Sequence, residues 1–265
     1  MPRFAANLSL LFTELPFLER FAAARAAGFD GVECLFPYQW PAPRIAECLR
    51  EQGLQQVLFN LPAGDWRAGE RGLAGLPGRE AEFRDGVGLA LEYAAALDCP
   101  RLNCLAGIPD AGVDQSQAWA TLERNVADAA DRLAQQGRVL TLEPINSRVD
   151  MPGFLLDTAA KAMTLIERLQ RPNLRLQYDL YHMWIMGEDL LPSLAVHCPH
   201  IEHVQFADAP GRHQPGSGEI PLSDAFALLD ELGYAGWASA EYRPLGGTTE
   251  SLHWLAANHG AAGRS

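Results

Sequence analysis

Eight short strand-like runs, each followed by a stretch with helical spacing, recur along the chain, and this alternation limits the fold more than any other feature. The strand candidates are residues 4–8, 31–35, 56–61, 101–106, 138–143, 174–179, 203–207 and 237–242. The clearest helical stretch, 114–136, puts Trp119, Leu122, Val126, Ala129, Ala130 and Leu133 on one face and has Gly137 as its stop. A second carries Ala159, Ala162, Met163, Ile166 and Leu169, opening at the cap candidate Asp157 and ending before Pro172. A third carries Leu222, Phe226, Leu229 and Leu232 and is closed by Gly233. Eight βα units in 265 residues match a (β/α)8 TIM barrel, a fold of typically ~250 residues. The rival, an open doubly wound sheet, usually carries a glycine-rich phosphate loop after an early strand. Neither G-x-G-x-x-G nor G-x-x-x-x-G-K-[ST] occurs. Residues 61–80 are glycine-rich without either spacing and read as a long βα loop over the active-site face. With no further repeat, low-complexity segment or linker, residues 1–265 read as a single barrel domain.

Charge and cysteine usage narrow the function. Acidic residues outnumber basic ones 33 to 21, and the formal net charge of −12 repels nucleic acid and anionic membrane, so neither is expected as a partner. No apolar run reaches the ~18 residues of a membrane span, and the N-terminus lacks a cationic lead-in and a small-residue cleavage site, so no signal peptide is expected. Cys34, Cys48, Cys99, Cys104 and Cys198 include no C-x-x-C pair and read as reduced thiols of a cytoplasmic protein. Lys161 is the only lysine among 21 basic residues and falls in a helical stretch, which argues against Schiff-base aldolases and pyridoxal enzymes. Acidic barrels of this size often form homo-oligomers, and the sequence marks no interface for one.

Side-chain alternation on the last four strands locates a candidate site. Leu140 and Leu142 oppose Val139, Thr141 and Glu143; Leu176 and Tyr178 oppose Gln177 and Asp179. Val204 and Phe206 oppose His203 and Gln205; Ala240 and Tyr242 oppose Trp237, Ser239 and Glu241. The apolar set suits the helix ring, so the other set looks into the barrel and ends in Glu143, Asp179, Gln205 and Glu241 at strand C-termini, where barrel enzymes build their sites. Three converging carboxylates repel one another unless a counter-charge joins them. Two Glu, one Asp and an amide oxygen suit Mg2+ or Mn2+ better than Zn2+. The competing reading is a structural hydrogen-bond network, or pairing with arginines. His203 points inward two residues below Gln205, where core hydrogen bonding is expected. Trp66, Phe36, Tyr38 and Trp40 lie in or after the top loops as candidate pocket walls, although such aromatics more often simply pack. His197, His200, His213, His253 and His259 have no such context and no role is assigned to them.

The stretches FNLPAGDWRAGERG (59–72), PGREAEFRDGV (77–87), LEPIN (142–146), QYDLYHM (177–183), GEIP (218–221) and GWASAEYRP (236–244) resemble the hydroxypyruvate isomerase family of xylose-isomerase-like barrels. The resemblance runs from Arg3 to about Trp254, and its most specific part is the loop after the third strand. It implies that Glu143, Asp179, Gln205 and Glu241 bind one divalent metal, with Glu143 and Glu241 as the catalytic acid/base pair. The sister 2-oxo-tetronate isomerases share the same motifs, and in the wider superfamily a histidine often stands where Gln205 stands here. Asp179 and His182 form a D-x-x-H that in related epimerases reaches a substrate hydroxyl, and Arg212, in ADAPGR (207–212), is placed to clamp a substrate carboxylate.

The expected activity is a metal-assisted interconversion of hydroxypyruvate and 2-hydroxy-3-oxopropanoate by proton transfer through an enediol, with a small keto or hydroxy acid as partner. A 2-oxo-tetronate isomerase, or another small sugar or keto-acid isomerase or epimerase of the same barrel, is the alternative. Abasic-site endonucleases of this superfamily use histidine-rich zinc clusters and a basic groove, against which the carboxylates and the net charge of −12 weigh. A barrel that only binds a sugar acid predicts ligand stabilisation without turnover.

Overall fold

The alternating runs become a closed, all-parallel eight-stranded barrel, with the strands in chain order, in the computed structural model, which describes residues 2–255. The strands are β1 (Arg3–Asn7), β2 (Gly31–Cys34), β3 (Gln55–Asn60), β4 (Arg101–Cys104), β5 (Val139–Leu142), β6 (Leu174–Asp179), β7 (Ile201–Phe206) and β8 (Trp237–Ala240). Closure is made by β1, which pairs with both β2 and β8. The helices are α1 (Arg20–Ala26), α2 (Ala42–Gln52), α3 (Glu80–Ala96), α4 (Gln115–Ala134), α5 (Ala159–Leu169), α6 (Leu180–Met186), α7 (Leu190–His197) and α8 (Leu222–Glu231). None of the described helices is long and apolar enough to cross a membrane.

Helix ends follow local chemistry, with one correction to an expected cap and one to an expected buried face. Asp114 caps α4 by accepting from the Ser116 and Gln117 amides, a contact worth ~1 kcal/mol. For α5 the cap is Thr158 rather than Asp157. Thr158 has the extended backbone a cap needs, whereas the Asp157 carboxylate turns to Lys161 Nζ and Ser147 Oγ, 2.7 Å from each. Leu232 lies past the end of α8 and is exposed instead of joining the buried face, with Gly233 stopping the helix at φ 70°.

Side-chain alternation divides the barrel into two environments. Val32, Leu102, Leu140, Leu142, Leu176, Val204, Phe206 and Ala238 point outward into one continuous core with the helices. Inside, a small apolar cluster of Ala5, Val57, Leu58 and Trp237 forms a separate plug. Other inward positions are buried polar groups, among them Asn7, Glu33, Asn103, Thr141, Gln177, His203 and Gln205. The β3–α3 loop is anchored onto the end of β4 and onto α4: the Leu61 amide donates to Asn103 O, the Gly75 amide to Ala106 O, and Asn125 Nδ2 of α4 to Ala74 O. At Gly72, φ is 119° and a Cβ would sit 2.3 Å from Leu105 O, so glycine is required for this approach.

Gly31 faces the apolar plug, where a Cβ would lie 2.7 Å from the Trp237 ring and 2.9 Å from Val57 Cγ1. Gly31→Ala is therefore expected to destabilise the protein by ~1–3 kcal/mol through overpacking. Urea unfolding measures this, and unchanged stability would show that the plug has room to yield.

Candidate active site

The four expected residues arrive at the barrel mouth by different local routes. Glu143 and Glu241 each lie one residue beyond the last residue of β5 and β8, and Asp179 ends β6. Asp179 also caps α6, its Oδ1 accepting from the Tyr181 amide at 2.8 Å. All three carboxylates are buried. Glu143 Oε2 accepts from Asn103 Nδ2 at 2.7 Å, and Glu241 Oε1 accepts from Asn7 Nδ2 at 3.1 Å. Gln205, on β7, is held deeper by both ends of its amide: Nε2 donates to Glu33 Oε1 at 2.8 Å, and Oε1 accepts from Gln177 Nε2 at 2.6 Å.

Arg212 enters this cluster from the loop after β7. Its Nη2 lies 2.6 Å from Glu241 Oε2 and 3.5 Å from Asp179 Oδ2, and its Nε donates to the Glu241 carbonyl at 3.3 Å. The guanidinium expected to clamp a substrate carboxylate is thus also the counter-ion of the protein's own carboxylates, and its Nη1 lies 4.0 Å from Asp150 Oδ1. The loop that delivers it is tied to one buried side chain. Asp208 Oδ1 accepts from the Ala209 and Ile220 amides, and its Oδ2 from those of Gly216 and Gly218. His182, in the first turn of α6, places Nε2 3.5 Å from Asp179 Oδ2 and 3.9 Å from Glu143 Oε1. Its Nδ1 lies 2.7 Å from Asn146 Nδ2.

Burial and crowding set the charges. Burial first, then the neighbouring Glu241 and Asp179, push the Glu143 carboxyl well above the usual range. Burial raises Asp179 to about 6 and Glu241 to about 8, in each case against the pull of Arg212. Burial, reinforced by Arg212, lowers His182 far enough to keep it neutral. Beneath them Glu33 behaves oppositely. Burial works to raise it, but His203, at 2.7 Å, together with donors from Gln205 and Asn7, holds it below the usual carboxylate value. One guanidinium thus faces three carboxylates at the mouth. Glu143, Asp179 and His182 each offer a metal-ligand atom, all within 4.8 Å of one another.

Alternation on the last four strands marks only part of the network, to which the first four strands contribute as much. Asn7, Glu33, Asn60 and Asn103 are buried, and Asn103 Nδ2 links Asn60 Oδ1 to Glu143. The same alternation between Val32 and Cys34 would have singled out Glu33. Asn146 and Asp208 carry no comparable signal, because they lie beyond strands, where alternation ends. His203 is a core partner as expected. Phe36 and Trp66 pack at 5.0 Å, with the Arg71 guanidinium 4.2 Å above the Trp66 ring. Trp40 stacks on Phe17, and Tyr38 packs edge-on to Phe59 and Tyr93, so both belong to the packing. His259 lies outside the described residues.

Comparison with known proteins agrees with this fold. The family model described as Xylose isomerase-like TIM barrel matches residues 21–258. The chain is 46% identical to the 2-oxo-tetronate isomerase of Cupriavidus necator, over 96% of this chain and 98% of that one. It is 44% identical to the hydroxypyruvate isomerase of Escherichia coli K12, with the same coverage. A crystal structure from Brucella melitensis, described as an AP endonuclease of family 2, superposes with a TM-score of 0.94 at 48% identity, covering 97% of this chain and 99% of that one.

Carboxyls with raised proton affinity bind protons more tightly folded than unfolded, so they lower stability as they ionise. Without divalent cation, the melting temperature is therefore expected to fall as pH rises from about 5 to about 8. Glu143→Gln removes one charge while its amide can still accept from Asn103, so it should raise the melting temperature at pH about 8 and flatten the slope. Thermal denaturation across pH checks both, and parallel profiles for the two proteins would contradict the electrostatic account.

Proposed function

Because this chain belongs to the xylose isomerase-like TIM barrel family and is an isomerase of it, we propose that it interconverts hydroxypyruvate and 2-hydroxy-3-oxopropanoate, working in the cytoplasm. The observation that carries the reading is the convergence of Glu143 and Glu241 on one buried cluster, both with raised proton affinity and with Arg212 beside them. Aldose–ketose isomerisation needs this pairing. One carboxylate takes a proton from C3 of hydroxypyruvate, leaving an enediolate whose charge sits on the C2 oxygen. The other delivers a proton to C2, while the C3 hydroxyl proton passes to the C2 oxygen, so that C3 becomes the aldehyde and C2 carries the hydroxyl. Carboxyls that titrate closer to neutrality than usual can serve as acid and as base in the working pH range. Arg212 holds Glu241 in place, and its Nη1, whose one acidic neighbour at 4.0 Å is Asp150, would meet the substrate carboxylate.

The donor set suits a hard divalent cation, since the carboxylates exceed what one guanidinium neutralises. Glu143, Asp179, Gln205 and Glu241 would hold Mg2+ or Mn2+, Gln205 through the second lone pair of an oxygen that already accepts from Gln177. Bound there, the cation would supply electrophilic stabilisation of negative charge on substrate oxygens.

The 46% identity to a 2-oxo-tetronate isomerase makes that keto acid the second reading. An endonuclease reading, from the description of the Brucella structure, is opposed by the net charge of −12 and by a mouth built of carboxylates.

Proton NMR of hydroxypyruvate in D2O, with chelator-treated protein before and after adding Mg2+ or Mn2+, tests the proposal. Cation-dependent loss of the C3 proton signal with growth of the aldehyde hydrate is expected, and Glu143→Gln or Glu241→Gln should lower the rate by ~10²–10⁴-fold. Turnover of 2-oxo-tetronate alone would transfer the assignment to the second reading. Substantial activity in either glutamine variant would remove the acid/base roles.

A further inference from the structure

His182 sits between two carboxylates, and what it offers them depends on which ring nitrogen carries the proton. Proton on Nδ1 leaves Nε2 with a lone pair, fit for a metal; proton on Nε2 makes it a hydrogen-bond donor. Asn146, fully buried three residues after Glu143, decides between them. Its Oδ1 accepts from the Val149 amide at 3.0 Å and the Asp150 amide at 2.9 Å. Backbone amides can only donate, so they fix which end of the side-chain amide is oxygen. The NH2 end must then face the other way, where it donates to Asp150 Oδ2 and to His182 Nδ1, 2.7 Å away. An amide NH2 offers protons only, so Nδ1 is an acceptor and the single ring proton is on Nε2.

We infer that Asn146 is a positioning residue that locks His182 as the Nε2–H tautomer, so that the ring presents a hydrogen-bond donor to a substrate oxygen rather than a lone pair to a metal. The Nε2–H is directed between Asp179 and Glu143, where the reacting atoms of the proposed isomerisation would lie. It divides the labour of the site: carboxylate and amide oxygens would hold a cation, while the imidazole N–H would meet the oxygen that becomes negative in the enediolate. A neutral donor already aligned needs little reorganisation as that charge develops. The inference rests on the isomerase reading only for the identity of that oxygen.

Protein labelled with nitrogen-15 at histidine reads the tautomer directly, because long-range proton–nitrogen correlation distinguishes a ring protonated at Nε2 from one protonated at Nδ1. The wild-type His182 pattern is expected to show the proton on Nε2, before and after addition of the diamagnetic Mg2+. In Asn146→Asp one carboxylate oxygen can keep the two backbone donors while the other faces Nδ1, so the proton moves there and kcat falls by about 10²-fold. His182→Gln, whose amide nitrogen reaches the place of Nε2, should retain more kcat than His182→Asn, whose nitrogen reaches only that of Nδ1. A wild-type proton on Nδ1, or loss of the Nε2 proton when the cation binds, overturns the inference. So does an Asn146→Asp protein with the wild-type pattern or with unchanged kcat. The spectrum needs no turnover, so wild-type protein inert towards hydroxypyruvate would remove the substrate and leave the tautomer decided.

Discussion

Three buried carboxylates sharing one guanidinium is the constraint around which the upper half of this barrel is arranged. Left to themselves, such groups would take up protons or push apart. Each is instead held by a neutral donor: Asn103 on Glu143, the Tyr181 amide on Asp179 and Asn7 on Glu241. These donors fix geometry without cancelling charge, so the cluster retains a raised proton affinity. That residual tension makes the same residues poor contributors to stability and good candidates for moving protons near neutral pH.

Arg212 shows how a rigid scaffold and a loop share this work. The carboxylates sit at strand ends, where the parallel barrel directs them to one axis. The arginine comes from an irregular loop and adopts φ 58°, a conformation that needs outside support. Asp208 provides it through four backbone amides, and the Arg243 amide ties down the Arg212 carbonyl. Below, Glu33 with His203 forms a second hydrogen-bonded layer that orients Gln205 and Asn7 from beneath. The apolar plug of Ala5, Val57, Leu58 and Trp237 accompanies these polar layers inside the barrel. The stability of the fold rests chiefly on the continuous core outside the strands, which leaves the interior free to be polar.

Much of this could be read locally. A side-chain period of two depends only on the backbone of each strand, so the inward set ending in Glu143, Asp179, Gln205 and Glu241 was recoverable from the alternation of Leu140, Leu176, Val204 and Ala240 with polar neighbours. Helical spacing likewise placed α4 and its Asp114 cap. Glu33 was legible by the same rule. Thr158 displaced Asp157 as a cap because both have suitable side chains, and only the backbone conformation chose between them.

The amino-acid sequence by itself determined the barrel, the inward-facing residues of its last four strands and the excess of acid at one end of them. What it could not determine was who meets whom across the barrel. Asn7 and Glu241 are 234 residues apart, and Glu33 and His203 170, so their pairing exists only once β1 closes against β8. The same holds for the pairing of Arg212 with Glu241, and for the proton on His182. Both depend on hydrogen-bond partners brought together by closure, and a hydrogen bond needs distances and angles that spacing along a chain does not specify.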